Sequence, residues 1–177
     1  MKLVILDRDG VINHDSDDYI KSVDEWRPIA GSLEAIARLN QAGYRVVVVT
    51  NQSGLARGYF TLDEFYAMNQ KLHRLLRQAG GQLEGLFFCP HAPDEQCACR
   101  KPKPGLLHDV AKRLDVDLKG VAFVGDALGD LQAALAVGAK PILVLTGKGQ
   151  RTQHNLSGLG DVPVYADLSA FVDHVLR

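Results

Sequence analysis

Short apolar runs recur along this chain, and each one closes on a small cluster of polar residues. Leu3-Val4-Ile5-Leu6 stops at Asp7-Arg8-Asp9-Gly10, and Val46-Val47-Val48-Val49 stops at Thr50-Asn51-Gln52-Ser53-Gly54. Leu86-Phe87-Phe88 leads into a cysteine-bearing loop, and Val121-Ala122-Phe123-Val124 stops at Gly125-Asp126-Ala127-Leu128-Gly129-Asp130. Pro141-Ile142-Leu143-Val144-Leu145 stops at Thr146-Gly147-Lys148-Gly149. Runs this short, without polar alternation, read as strands buried on both faces.

Between them the apolar period lengthens to that of a helix. Leu33, Ile36, Ala37 and Leu39 share a face over 32–42, with Ser32 as the expected N-cap and Gly43 as a left-handed stop. Thr61-Leu62-Asp63-Glu64 is a capping box that opens a helix to about Gln78, with Phe65, Met68, Leu72, Leu75 and Leu76 inward. Pro104 suits the first position of a helix ending near Leu114. An alanine- and leucine-rich helix follows Asp126 and stops at Gly138, and Asp167 or Ser169 caps a last one near 168–176. Residues 11–28 look irregular, and their acidic run, Asp15 to Asp18, is either a solvated loop or a wall facing substrate.

Strictly alternating strands and helices predict a Rossmann-like three-layer α/β/α sandwich around a mainly parallel sheet of five or more strands. A single domain over 1–177 is expected, carrying an inserted loop at 89–103 and no large cap domain. Composition narrows the partners. With 20 basic and 21 acidic residues the net charge is −1, which does not suit a nucleic-acid or anionic-membrane partner. No apolar run has the length of a membrane span, and the N-terminus enters a strand at once, so a cytoplasmic protein without a signal peptide is expected.

In an open parallel sheet all strand carboxyl ends share one edge, which is where ligands bind. The polar clusters can therefore meet. Asp7 and Asp9 could merely begin a solvated turn at Gly10, but two carboxylates at the end of a buried strand also suit a divalent cation. Carboxylates, a lysine and a hydroxyl-bearing loop, with no Walker loop, fit phosphoryl transfer, in which the cations offset charge on the migrating group. A carboxylate can itself be the nucleophile and form an aspartyl-phosphate.

The three cysteines, Cys89, Cys97 and Cys99, fall in one window with His91, as Cys-x-His and Cys-x-Cys. Three thiolates and an imidazole make a closed four-ligand set for structural Zn²⁺, with no open position for catalysis. Free cysteines beside a surface histidine are the alternative reading. Disulfides are disfavoured by the odd count and the compartment. A clamped loop would aim Arg100 and Lys101, which follow Cys99 directly.

Taken together, Asp7-Arg8-Asp9-Gly10, Thr50-Asn51, Lys101-Pro102 and Gly125-Asp126 with Asp130 resemble the four motifs of the haloacid dehalogenase-like (HAD-like) phosphatases, in order and across most of the chain. The resemblance implies Asp7 as nucleophile and Asp9 as the acid that protonates the leaving oxygen and then the base that activates water. It implies Thr50 and Lys101 on the phosphoryl group, and Mg²⁺ on the Asp7 carboxylate, the Asp9 backbone carbonyl and Asp126. Asp130 is given a supporting place, and Lys103 competes with Lys101 less well because Lys-Pro stands at 101–102. The zinc loop running into Arg-Lys-Pro narrows the resemblance to the heptose-bisphosphate and the histidinol-phosphate phosphatases. Gln52-Ser53-Gly54 followed by Ala56-Arg57-Gly58 looks like the heptose group. That likeness implies a monomeric enzyme for a small phosphorylated sugar. Thr50, Asn51, Gln52, Ser53, Arg100 and Lys101 would contact substrate, with Asp15 and Asp18 at the entrance. Ala127 departs from the heptose enzymes, which can present a lysine there. A non-catalytic phosphosugar-binding module is the reading from another class, and the full set of reactive residues counts against it.

Overall fold

A computed structural model describes residues 2–177. In chain order the elements are β1 (Leu3–Leu6), α1 (Ser32–Gln41), β2 (Arg45–Asn51), α2 (Leu62–Gln78), β3 (Gly85–Cys89), α3 (Gly105–Leu114) and β4 (Ala122–Gly125). They continue with α4 (Leu128–Ala136), β5 (Lys140–Val144), α5 (Gly149–Gln153), β6 (Val164–Tyr165) and α6 (Leu168–Val175). The six strands form one sheet in the order β3-β2-β1-β4-β5-β6, and every pairing is parallel. This is the Rossmann-like architecture that the alternation predicts.

Strand alternation divides the core. Val4, Leu6, Val46 and Val48 pack with Ile36, Phe65, Leu72 and Phe171, so α1, α2 and α6 cover one face. Leu3, Ile5, Val47 and Val49 pack with Leu107, Val110, Ala133 and Ala134, so α3 and α4 cover the other. Each fully buried Val, Leu, Ile or Phe among them contributes about 1.5–3 kcal/mol relative to exposure. Trp26, within the irregular 11–28 segment, is wholly buried in the first of these clusters. No helix among the described residues is long and apolar enough to cross a membrane.

Three local expectations need correction or extension. Ser32 does not cap α1: Gly31, at φ 86, occupies the N-cap position, and the buried Ser32 hydroxyl donates instead to the Val11 carbonyl at 2.8 Å. The helix starts because Gly31 takes a left-handed turn that a side chain would resist. Asp167, rather than Ser169, caps α6 by accepting from the Ala170 N–H at 2.8 Å. β6 and α5 lay below the resolution of the hydrophobic pattern, being 2 and 5 residues long. The Thr61–Glu64 capping box and the left-handed Gly43 and Gly138 are as predicted.

Candidate active site

β1 lies between β2 and β4, so the residues that end these strands are neighbours. The chain runs outward from β1 to β3 and then returns across the sheet to β4. The reversal opens a crevice between β1 and β4, the switch point at which such sheets bind ligands. A cavity of about 490 Å³ sits there. Asp7, Asp9, Asp15, Thr50, Asn51, Gln52, Ser53, Arg100, Lys101 and Asp126 all line it. Asp18 does not. It is exposed, and its carbonyl takes the Lys21 ammonium, while its neighbours Ser16 and Asp17 face the cavity instead.

Lys101 is the hub of the floor. It is 5% exposed, and its ammonium meets Asp7 Oδ1 at 3.0 Å, Asp130 Oδ1 at 2.6 Å and the Val49 carbonyl at 2.8 Å. Burial works against its charge, but Asp130 and Asp7 outweigh burial and hold the ammonium well above its ordinary range. Asn51 fixes the backbone of Lys101 from both sides, donating to its carbonyl at 3.1 Å and accepting from its N–H at 3.0 Å. Asn51 thus aims the lysine as well as lining the cavity. Lys103, exposed, donates to the Cys97 carbonyl at 2.9 Å and does not line the cavity.

The two opening aspartates are held in opposite ways. Asp7 Oδ1 takes the Arg8 N–H at 2.7 Å and the Lys101 ammonium, while Oδ2 accepts no hydrogen bond among the described residues. Burial and then the charge of Asp130 push the Asp7 carboxyl well up, against the pull of Lys101. Asp9 is also buried, but donors surround it. Oδ1 accepts from Arg8 Nε (3.1 Å), Arg8 Nη2 (3.0 Å) and Asn13 Nδ2 (2.8 Å), and Oδ2 accepts from Gln52 Nε2 (3.0 Å). Burial raises its pKa, yet Arg8, Asn13 and Gln52 prevail and leave it below the ordinary carboxylate value. Arg8 itself is fully buried, with Asn69 at 3.3 Å and the Phe65 ring 5.5 Å from its guanidinium carbon.

Asp126 sits in a box made by glycines. A Cβ on Gly10 would stand 2.0 Å from its Oδ2, and one on Gly147 would stand 2.2 Å from the same atom. Both glycines have positive φ, so the close approach and the backbone turn demand the same residue. The Lys148 N–H donates to Asp126 Oδ2 at 2.7 Å. Asp7, Asp126 and Asp130, all buried, each offer a carboxylate oxygen within 4.8 Å of the others. Three anions around one lysine leave excess negative charge that a hard divalent cation suits.

Burial, then Asp130, pushes the Asp126 carboxyl up to about 7 from the ordinary 3.8, with the Lys148 N–H opposing. A raised carboxyl stabilises the metal-free fold below its unfolded pKa, and that contribution is lost as pH rises through the folded value. A cation displaces the proton, so its own contribution must grow over the same window. The gain in Tm on adding Mg²⁺ is expected to be small near pH 5 and to rise towards pH 7. The apparent Kd for Mg²⁺ should rise by up to about tenfold for each pH unit below 7. Thermal shift and calorimetric titration at several pH values check this, and an Mg²⁺ effect equal at pH 5 and pH 8 would exclude the carboxylate cluster as its site.

The cysteine loop closes on itself. Cys89 Sγ lies 3.4 Å from His91 Nδ1, 3.6 Å from Cys97 Sγ and 2.9 Å from Cys99 Sγ, and His91 Nδ1 lies 3.2 Å from Cys99 Sγ. All four ligand atoms fit within 4.8 Å, as a metal requires. The Arg100 N–H donates to Cys97 Sγ at 3.4 Å. Arg100 Nη1 is buried with no hydrogen-bond partner among the described residues while the residue lines the cavity, so its guanidinium keeps a donor to spare beside the site.

Two residues of the site carry no role in the sequence pattern: Arg8, the buried partner of Asp9, and Lys148, which lies in a glycine-rich turn after β5 yet lines the cavity. Asn51, expected as a substrate contact, also holds the backbone of Lys101. The rule that strand carboxyl ends converge was the signal that could have found Lys148.

Similarity to known proteins agrees with this arrangement. The profile of a family described as HAD-hydrolase-like matches residues 98–171. A D-glycero-beta-D-manno-heptose-1,7-bisphosphate 7-phosphatase of Pseudomonas putida is 59% identical over 86% of this chain and 87% of its own. One of Neisseria meningitidis serogroup A is 52% identical over 100% of this chain and 96% of its own. The chain belongs to the HAD-like phosphatase family. The crystal structure of the D,D-heptose 1,7-bisphosphate phosphatase from B. bronchiseptica, complexed with magnesium and phosphate, superposes with a TM-score of 0.96 at 54% identity, covering 99% of this chain and 98% of that one. Membership makes this HAD-like phosphatase a phosphoric monoester hydrolase of a family whose members use Mg²⁺.

Proposed function

We propose that this HAD-like phosphatase removes the 7-phosphate of D-glycero-D-manno-heptose 1,7-bisphosphate through an aspartyl-phosphate on Asp7, in the heptose synthesis that supplies bacterial surface polysaccharide. The observation that carries the chemistry is the Asp7–Lys101 contact of 3.0 Å on the cavity floor, which leaves Asp7 Oδ2 without a hydrogen bond. The choice of substrate rests on the relatives at 52–59% identity. We place the enzyme in the cytoplasm as a monomeric single domain, with Zn²⁺ on Cys89, His91, Cys97 and Cys99 as a purely structural ion.

Asp7 Oδ2 attacks phosphorus, and the bond from phosphorus to the sugar oxygen breaks. Lys101 keeps the Asp7 carboxylate aligned and faces the charge that gathers on the phosphoryl oxygens. Thr50 and Ser53, both buried on the cavity wall, supply hydroxyls to those oxygens. The leaving sugar oxygen takes a proton from Asp9. Asp9 then removes a proton from water, whose oxygen attacks phosphorus and frees Asp7 and inorganic phosphate. The Asp7 and Asp126 carboxylates and the Asp9 backbone carbonyl would hold Mg²⁺, which would supply positive charge against the anionic phosphoryl group. The acid half of Asp9's role asks for a proton that its four donors oppose. Oδ2, with Gln52 as its single donor, is the oxygen that can carry it once a substrate oxygen replaces that amide.

Steady-state phosphate release from heptose 1,7-bisphosphate and from histidinol phosphate tests the choice. The specificity constant is expected to be at least about 100-fold higher for the heptose, because buried donors such as Arg100 Nη1 stay unpaired without its second phosphate and hydroxyls. A higher constant for histidinol phosphate would overturn the substrate. No turnover of any phosphomonoester in metal-replete protein would favour a binding module.

A further inference from the structure

Among the described residues no cap domain covers the cavity, yet a short segment lies along its rim. Asp15, Ser16, Asp17, Tyr19 and Ile20 all line the cavity. One end of the segment is tied to the turn after β5 and to α5, which follows it. Asp15 Oδ2 lies 3.5 Å from Lys148 Nζ, and Asp17 Oδ1 lies 3.3 Å from Arg151 Nη2. The other end is tied to the loop after β2, where the Tyr19 ring stands 5.0 Å from Tyr59 at 60° and Arg57 lies 6.0 Å from the Tyr19 centroid. The two ion pairs differ in weight. Arg151 and Asp17 have side chains 67% and 79% exposed, and such solvated pairs contribute little. The Asp15 side chain is only 16% exposed, so Lys148 is the partner that fixes it. Lys148 is itself anchored, because its N–H is bonded to Asp126 Oδ2 at 2.7 Å. One residue therefore joins the carboxylate box to the strap along the rim.

We infer that Lys148 is a specificity-determining positioning residue, holding Asp15 as a hydrogen-bond acceptor for sugar hydroxyls remote from the transferred phosphate. This rests on the sugar-phosphatase reading above. A carboxylate accepts from vicinal hydroxyls, and an ammonium beside it holds its orientation and stops it swinging out to water. A flat aryl phosphate has no such hydroxyls and gains nothing from Asp15. The two substrate types thus separate Lys148's effect through Asp15 from any effect on the floor of the site. Every Lys148 variant retains its backbone N–H on Asp126, so the carboxylate box stays the same.

The test compares heptose 1,7-bisphosphate with p-nitrophenyl phosphate in the full-length, Mg²⁺-loaded enzyme. In Lys148→Met the ratio of the two specificity constants, sugar over aryl, should fall by about tenfold or more, mainly through KM for the sugar. Lys148→Arg should restore most of that ratio, and Asp15→Asn should lower it as Lys148→Met does. The double variant should be no worse than either single one, because both act through the same hydroxyl contact. An unchanged ratio in Lys148→Met would overturn the inference, as would additive losses in the double variant, which would mean that the lysine meets substrate by itself. A wild-type enzyme that turns over the aryl phosphate but not the heptose would instead defeat the substrate reading.

Discussion

Asp7→Asn should lower kcat by about four orders of magnitude or more while leaving the fold in place. The amide is isosteric and can still accept the Arg8 N–H that Asp7 Oδ1 takes at 2.7 Å. Lys101 keeps Asp130 at 2.6 Å and the Val49 carbonyl at 2.8 Å, so it is not left as an unpaired buried charge. What disappears is the carboxylate oxygen beside Lys101, Asp7 Oδ2, which accepts no hydrogen bond among the described residues. The substitution should also raise the Tm of the metal-free protein near pH 7, since Asp7 is destabilised there by burial and by Asp130. Lost activity beside equal or higher stability marks a residue kept for chemistry rather than for folding. Phosphate release, a thermal melt and mass spectrometry of quenched enzyme for the acyl-phosphate measure the three effects together. Retained turnover would exclude covalent catalysis at Asp7.

The second large effect concerns the proposed zinc. Stripping it, with Mg²⁺ restored in excess, is expected to lower kcat/KM by at least about tenfold and to open the loop at 89–103. A closed thiolate–imidazole site is coupled to folding, with binding free energies of about 10 kcal/mol or more. Here the coupled segment is short, but it ends on Lys101, whose ammonium sits on the cavity floor. Cys99 is followed at once by Arg100, whose N–H is on Cys97 Sγ, and by Lys101. Without the metal, burial pushes the Cys89 thiol up to about 12, so the empty cluster holds protons that the ion would expel. Cys99→Ser should reproduce the loss, and elemental analysis should then show the zinc missing. Hydrogen exchange on the loop reports its loosening. Full activity in zinc-free, Mg²⁺-replete protein would show that Asn51's two bonds to Lys101 suffice to aim it.

Much of this was legible before the fold was seen. The apolar runs located five strands because a doubly buried strand admits no polar alternation. The polar stops after β1, β2 and β4 were legible because strand ends in a parallel sheet cannot avoid one another. β6 was not, because Val164 and Tyr165 pair with β5 over too short a span to leave a pattern. Ser32 misled because a serine before a helix normally caps it, whereas here the carbonyl of Val11 competes for its hydroxyl. Arg8 was missed for a different reason. A charge inside a strand end reads as solvent-facing, and only the tertiary contacts to Asp9, Asn69 and Phe65 account for its complete burial. Asp18 and Asp17 are alike in sequence, and both are exposed; only the turn over 16–19, closed by the Tyr19 N–H on the Ser16 carbonyl at 3.1 Å, sets Asp17 and not Asp18 at the rim of the cavity.

The crowding around Lys101 bears on how a catalytic cycle ends. All three of its ammonium partners are already in place in the resting chain. In the proposed reaction an arriving phosphoryl group trades places with one of them instead of filling a vacancy, so the gain on binding would be the difference between two contacts. The same trade would run backwards when inorganic phosphate departs, with Asp7, Asp130 or the Val49 carbonyl reclaiming the lysine. On that reading product would leave by exchange, and the resting contacts would reset the site.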